Sequence, residues 1–193
     1  MAGKTRKRSP SLHRLRVFLC HASDDKPAVR NLYRRLKDDG FDPWLDEEDL
    51  LPGQDWELEI SRAVRRSDMI IVCLSRAAAI KRGYVQKEIK QALDVADEQP
   101  EGTIFIIPLK LEECEAPERL RRWQWVNFFE AGGYDKLKRA LLHTSEQKEQ
   151  ASDKRTQSAL EDLLINEGGM TKEKARRLAR KGVDKIKRSG SKE

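Results

Sequence analysis

Cysteine is scarce in this chain: Cys20, Cys73 and Cys114 are the only three in 193 residues. No two stand at metal-ligand or redox-motif spacing, which excludes a zinc finger or a CxxC thiol–disulfide enzyme and leaves buried or incidental thiols. Histidine is equally sparse, with three residues and no cluster, so no metal site and no metal catalysis are expected. No apolar run approaches the roughly 18 residues that a spanning helix needs. The basic N-terminus is not followed by the apolar stretch of a signal peptide. A cytoplasmic protein without membrane association is expected. There is no GxxxxGK[ST] run, and no GxGxxG follows the first strand-like segment, so neither phosphate-cradling fingerprint is present.

Charge is plentiful at 37% of residues, against 38% hydrophobic, enough apolar content for one packed core. The net value of +6 is unevenly spread. Residues 1–16 hold six Lys/Arg and no acid, 145–193 hold 13 Lys/Arg and 9 Asp/Glu, and 17–144 hold 20 and 24. The positive excess lies in the ends. The central region has no basic surplus to attract nucleic acid, and a nucleic-acid partner is not expected.

From Arg16 onward strand-like and helix-like segments alternate. Arg16–Cys20 is a short apolar run, as in a strand buried on both faces. Asp24-Asp25-Lys26-Pro27 opens a helix, with acids near its positive end and proline in its first turn. Val29, Leu32, Tyr33 and Leu36 form its apolar face, and Gly40 ends it. Phe41–Leu45 reads as a second strand, with Pro43 arguing for a sheet edge. Asp46–Gln54 is an acidic loop, and Trp56, Ile60, Ala63 and Val64 mark a second helix. Met69–Leu74 is a third strand, Tyr84–Asp97 a third helix, and Thr103–Leu109 a fourth strand. Val126–Phe128 is a short fifth strand, with Tyr134–His143 the helix after it. Strand–helix alternation at this spacing implies a parallel sheet with helices on both faces. The flavodoxin-like order 2-1-3-4-5 puts the proline strand at an edge and a ligand crevice at the carboxyl ends of strands 1 and 3, at His21–Asp24 and Leu74–Arg76. A two-component receiver would need an aspartate at the end of strand 3, where Leu74-Ser75 stands instead.

The organisation expected is a basic tail over 1–15, an α/β domain over 16–144, a polar linker over 145–156, a helical hairpin over 157–188 broken at Gly168-Gly169, and a tail over 189–193. The hairpin is too small to be stable alone and is expected to dock, to pair with another copy or to hold a protein partner.

Four segments then carry a family resemblance: Val17-Phe18-Leu19-Cys20-His21-Ala22-Ser23-Asp24-Asp25, Trp44 through Gly53, Ile70 through Ser75, and Gly83-Tyr84-Val85-Gln86-Lys87-Glu88-Ile89. In this order and spacing they resemble bacterial Toll/interleukin-1 receptor (TIR) domains of the NAD+-cleaving type, over residues 16–144. The resemblance implies a five-stranded TIR fold and cleavage of NAD+ to nicotinamide and ADP-ribose or a cyclic isomer, in bacterial immune signalling. NAD+ is then the substrate, and no cofactor is implied. Glu88 occupies the family's catalytic position, with Tyr84 four residues before it where tryptophan is usual. On a helix that spacing places the ring and the carboxylate on one face. Cys114 stands where family members often carry a second aromatic.

One carboxylate suits this chemistry. Nicotinamide leaves as a neutral molecule and needs no general acid, unlike the poor leaving group of ordinary glycosidases. The remaining demand is to stabilise positive charge developing on the ribose. The candidate substrate-binding residues are His21, Ala22, Ser23, Asp46, Ser75 and Tyr84. Asp46 either orients the ribose or bonds loop amides, Ser75 touches ligand or caps the turn, and His21 contacts ligand or is structural. The family's self-association loop corresponds to Glu47, Glu48, Asp49, Leu50, Leu51, Pro52 and Gly53. A non-catalytic adaptor acting through TIR–TIR contacts by the same loop is the alternative.

Overall fold

The computed structural model describes residues 14–80, 90, 93–98 and 103–190. Five strands form one parallel sheet: β1 (Arg16–Cys20), β2 (Asp42–Trp44), β3 (Met69–Leu74), β4 (Ile106–Lys110) and β5 (Val126–Asn127). Their order is β2-β1-β3-β4-β5, the arrangement expected from the strand–helix alternation. Val17 lies opposite Pro43 and Met69, and Ile70 lies opposite Phe18 and Ile106. Pro43 occupies the edge strand, where its missing N–H costs no ladder bond. Pro108 is tolerated for a related reason. β5 pairs with Leu109 and Lys110, one and two residues beyond it.

Six α-helices lie wholly among the described residues: α1 (Lys26–Asp38), α2 (Asp46–Asp49), α3 (Trp56–Arg66), α4 (Arg76–Ile80), α5 (Gly133–Asn166) and α6 (Lys172–Gly190). Side chains alternate across the strands, and both faces of the sheet are covered. Val17, Leu19, Ile71, Cys73 and Leu109 pack with Val29, Leu32 and Leu36 of α1 and Leu137 and Leu141 of α5. Phe18, Cys20, Ile70, Val72 and Leu74 pack on the other face with Ile60 and Val64 of α3, with Ala78 and with Val95. This double burial explains why β3 reads as one unbroken apolar run. Phe18 stacks on Trp44 at 5.1 Å, tying the edge strand to the centre.

Caps and turns fall where local chemistry directs them. Asp55 accepts from the Leu58 N–H and starts α3. Gly40 follows α1 with φ +91°, a conformation that favours glycine. Asp39 accepts from Tyr134 at 2.8 Å and from Lys138 at 2.7 Å, joining the end of α1 to the start of α5. Burial opposes ionisation of Asp39, but these two donors prevail and hold its carboxyl below the usual range.

The chain divides into two compact units, Arg14–Leu142 and a C-terminal unit that runs from His143. The stretch 145–156, read from its polarity as a linker, is helix throughout, within the 34 residues of α5. It contains no glycine or proline, and seven of its residues are Glu, Gln, Lys or Arg, which favour helix whatever their polarity. The acidic loop after β2 also begins with a helical turn, α2. Gly169, at φ +56°, breaks the chain between α5 and α6. No described helix is long and apolar enough to cross a membrane.

Candidate functional site

Parallel pairing sets the carboxyl ends of β1 and β3 side by side, with Cys20 opposite Val72. The chain leaves β1 through His21 and Ala22, both buried, and then an exposed Ser23 in a 3-10 turn over Ser23–Asp25. The Asp25 N–H donates to the Ala22 carbonyl at 2.9 Å. This turn brings the Asp25 carboxylate to the end of β3, where Oδ2 accepts from Ser75 Oγ at 2.9 Å. Ser75 Oγ in turn accepts from the Ala78 N–H at 3.1 Å, which caps the first turn of α4. One hydroxyl therefore links the loop after β1 to the helix after β3.

Burial pushes the Asp25 carboxyl above its ordinary range, with Asp24 and Glu112 adding to the rise; the Ser75 bond and the nearby His21 offset only part of it. His21 Nδ1 lies 3.3 Å from the Leu19 carbonyl oxygen, while Nε2 points to Asp46 Oδ1 at 3.8 Å. Asp46 Oδ1 also accepts from the Glu47 N–H at 2.9 Å. At the end of β4, Glu112 accepts from the Arg76 N–H at 2.8 Å, and Arg76 Nε donates to the Glu113 carbonyl at 2.9 Å. Cys114 Sγ lies 3.6 Å from the Leu74 carbonyl, and burial pushes its thiol up, away from the reactive thiolate.

Four strand ends thus bring a cluster of polar side chains to one edge of the sheet. His21, Ala22, Ser23, Asp46 and Ser75 lie at this carboxyl edge. Tyr84 and Glu88, the remaining two candidates, lie outside the described residues. The sequence reading missed Asp25 and Glu112. Asp25 signals itself only as half of an acidic pair at a helix start, and nothing in the sequence tells which of Asp24 and Asp25 turns inward. Glu112 reaches Arg76 across a separation that no local pattern encodes.

The loop after β2 is braced along its acidic half. Glu47 pairs with Lys26 and with Arg30, and Glu48 pairs with Arg30 at 3.2 Å. Asp49 accepts from the Leu45 N–H at 2.7 Å and from the Tyr33 hydroxyl at 3.4 Å. Its carboxyl is pushed up by burial despite these bonds. The tip is different. Leu51 is 68% exposed, its N–H held by Gln54 Oε1 at 2.8 Å, and Gly53 adopts φ +90°. A braced stem therefore presents an apolar tip to solvent. Among the described residues, no group of three or more His, Cys, Asp or Glu is placed to hold a metal ion.

A family model described as TIR domain matches residues 17–142. The uncharacterized protein y4cD of Sinorhizobium fredii is 29% identical over 123 residues, which are 63% of this chain and 19% of that protein. The chain therefore spans only a small part of that relative's length. Among solved structures, the TIR domain of the Toll-related receptor TRR-2 from Hydra magnipapillata is similar with a TM-score of 0.55 at 23% identity, covering 65% of this chain and 96% of that one. A prokaryotic SEFIR domain is similar with a TM-score of 0.51 at 17% identity, covering 66% and 98%. At these identities the two structures speak to the fold alone.

Proposed function

The chain belongs to the TIR domain family, and from that premise we propose that it is an NAD+ nucleosidase with Glu88 as its catalytic carboxylate. The observation that carries this reading is the cluster of His21, Asp25, Asp46 and Ser75 at the carboxyl edge of the sheet, at the switch between β1 and β3. α4 follows Ser75 directly, and Tyr84 and Glu88 come four and eight residues after its last residue in the sequence. The nicotinamide of NAD+ departs neutral, so the enzyme's task is to favour positive charge on the ribose. A fixed anion close to the anomeric carbon does this by electrostatic stabilisation. Asp46 offers an acceptor to ribose hydroxyls. Ser75, whose hydroxyl already serves Asp25 and Ala78, holds the two loops in place. The product is ADP-ribose if water attacks, or a cyclic isomer if an adenine nitrogen does. A cytoplasmic role in bacterial immune signalling, activated by self-association, follows the family.

Chromatography of NAD+ incubated with the parent and with Glu88→Ala tests the reading. Nicotinamide release by the parent should fall about a hundred- to thousandfold in the variant. Equal release by both, or none at high protein concentration, would overturn it. Self-association predicts a specific activity that rises with concentration, and a flat dilution series would oppose that part.

One observation favours a second reading, a non-catalytic adaptor. The exposed Leu51 on its braced stem suits a contact surface between TIR domains. Under that reading Leu51→Asp abolishes association while Glu88→Ala changes nothing.

A further inference from the structure

Charge in the C-terminal unit is segregated by helix, and its modest net value hides this. Residues 145–166 hold three Lys/Arg and five Asp/Glu, whereas 172–190 hold nine and two. α6 buries Ala175, Ala179 and Val183, spaced four apart and so on one face. Away from that face, Arg176, Arg177, Arg180 and Lys181 line a shallow cleft of about 720 Å³ with Gln157 of α5, and Glu173 and Asp184 flank them, leaving four cations against two acids. None of the four cations has an ion-pair partner among the described residues. Arg176 and Arg180, and Arg177 and Lys181, are like-charge pairs one turn apart, which oppose helix formation. The helix keeps a repulsive row of charge that its folding does not require.

We propose that this face of α6 docks the phosphate backbone of a nucleic-acid duplex without reading its sequence. The chemistry separates this partner from others. Ala175, Ala179 and Val183 of α6 are already buried, and Ile186, 59% exposed, is too little apolar surface by itself to enter a bilayer interface. The lining of the cleft includes no aromatic or large aliphatic anchor of the kind that dominates protein–protein interfaces. Arginine forks match phosphate oxygens and need nothing else. The four side chains occupy about 7.5 Å of helix axis at ~1.5 Å per residue. A duplex carries a charge about every 1.7 Å of its axis, counting both strands, so the row of cations faces negative charge of comparable density. The central region's charge balance gave no reason to expect this partner; the segregation between α5 and α6 supplies one. The inference is independent of NAD+ cleavage.

The test is fluorescence anisotropy of a labelled mixed-sequence DNA duplex titrated with the full chain at increasing sodium chloride. Four phosphate contacts predict a log–log salt slope of about −3.6, so affinity should fall roughly a hundredfold between about 50 and 200 mM salt. The variant R176A/R177A/R180A/K181A should lose at least about tenfold in affinity at low salt and flatten the slope toward zero. Alanine favours helix, and circular dichroism checks that the variant keeps it. The charge-conserving R176K/R177K/R180K should keep the slope. Three results would overturn the proposal. One is a parent that does not bind at low salt. Another is a quadruple-alanine variant that binds like the parent. The third is polyglutamate binding as tightly as the duplex, which would assign the face to an acidic protein.

Discussion

The two units of this chain bury different things. In the unit Arg14–Leu142, Val17, Val29, Leu36, Ile70, Ile71, Val72, Leu74 and Leu109 are wholly inaccessible to solvent. In the C-terminal unit, the buried apolar residues of α6 are Ala175, Ala179 and Val183. Burying a large aliphatic side chain contributes about 1.5–3 kcal/mol, and alanine contributes a fraction of that. The sheet therefore draws a larger hydrophobic contribution from each buried residue, while α6 rests on helix propensity and a thin contact. The difference teaches where each kind of function belongs. A preorganised polar cluster needs the well-packed unit, whereas a charged docking face needs only a helix that stays helical.

The largest test of this contrast is Ile71→Ala set beside Val183→Ala. Ile71 is central in β3 and fully buried, and its truncation should cost about 3–4 kcal/mol by urea denaturation. Val183 is 8% exposed in a thin interface, and its truncation should cost about 1 kcal/mol. Equal losses would break the comparison. Amide hydrogen exchange reads the same contrast without mutation: β3 amides should open only with global unfolding, and those of α6 at a lower free energy.

That same contrast governs what the sequence reveals. The sheet was legible because double burial writes continuous apolar runs at Arg16–Cys20 and Met69–Leu74, and Pro43 marks its edge. The helix over 145–156 was not legible as such, because polar residues serve loops and solvated helices alike. At the carboxyl edge, His21 and Ser75 could be placed because strand ends are predictable from the strands. Asp25 could not, since its inward turn depends on a hydroxyl 50 residues away. Sequence spacing locates the edge of a sheet but not the hydrogen bonds that cross it.

Asp25 also sharpens the comparison through pH. Its carboxyl is raised in the folded state, chiefly by burial. The folded protein then holds a proton that the unfolded chain releases, so this group's contribution is fullest below the ordinary aspartate value. It is lost as pH rises through the raised one. An asparagine side chain at this position would keep an acceptor for Ser75 without the charge. Asp25→Asn should therefore raise the thermal midpoint at pH 7, and the gain should vanish on acidification to below about pH 4. A gain that persists at low pH would detach it from ionisation.

A single substitution type should have opposite signs in the two units. At Gly133 an added Cβ would lie 2.2 Å from the Asn127 carbonyl oxygen, a backbone atom that has no room to move. Gly133→Ala should lose up to about 3 kcal/mol through overpacking. At Gly182, inside α6, the added Cβ would meet Leu160 Cδ1 at 3.4 Å, ordinary contact with the flexible end of a side chain. Alanine there narrows the unfolded ensemble and adds a methyl to a thin interface, so Gly182→Ala should gain about 0.5–1 kcal/mol. The gain should appear as slower exchange of α6 amides while β3 amides stay unchanged. If Gly182→Ala instead speeds that exchange, the α5–α6 contact is packed as tightly as the sheet, and the C-terminal unit owes its stability to its core.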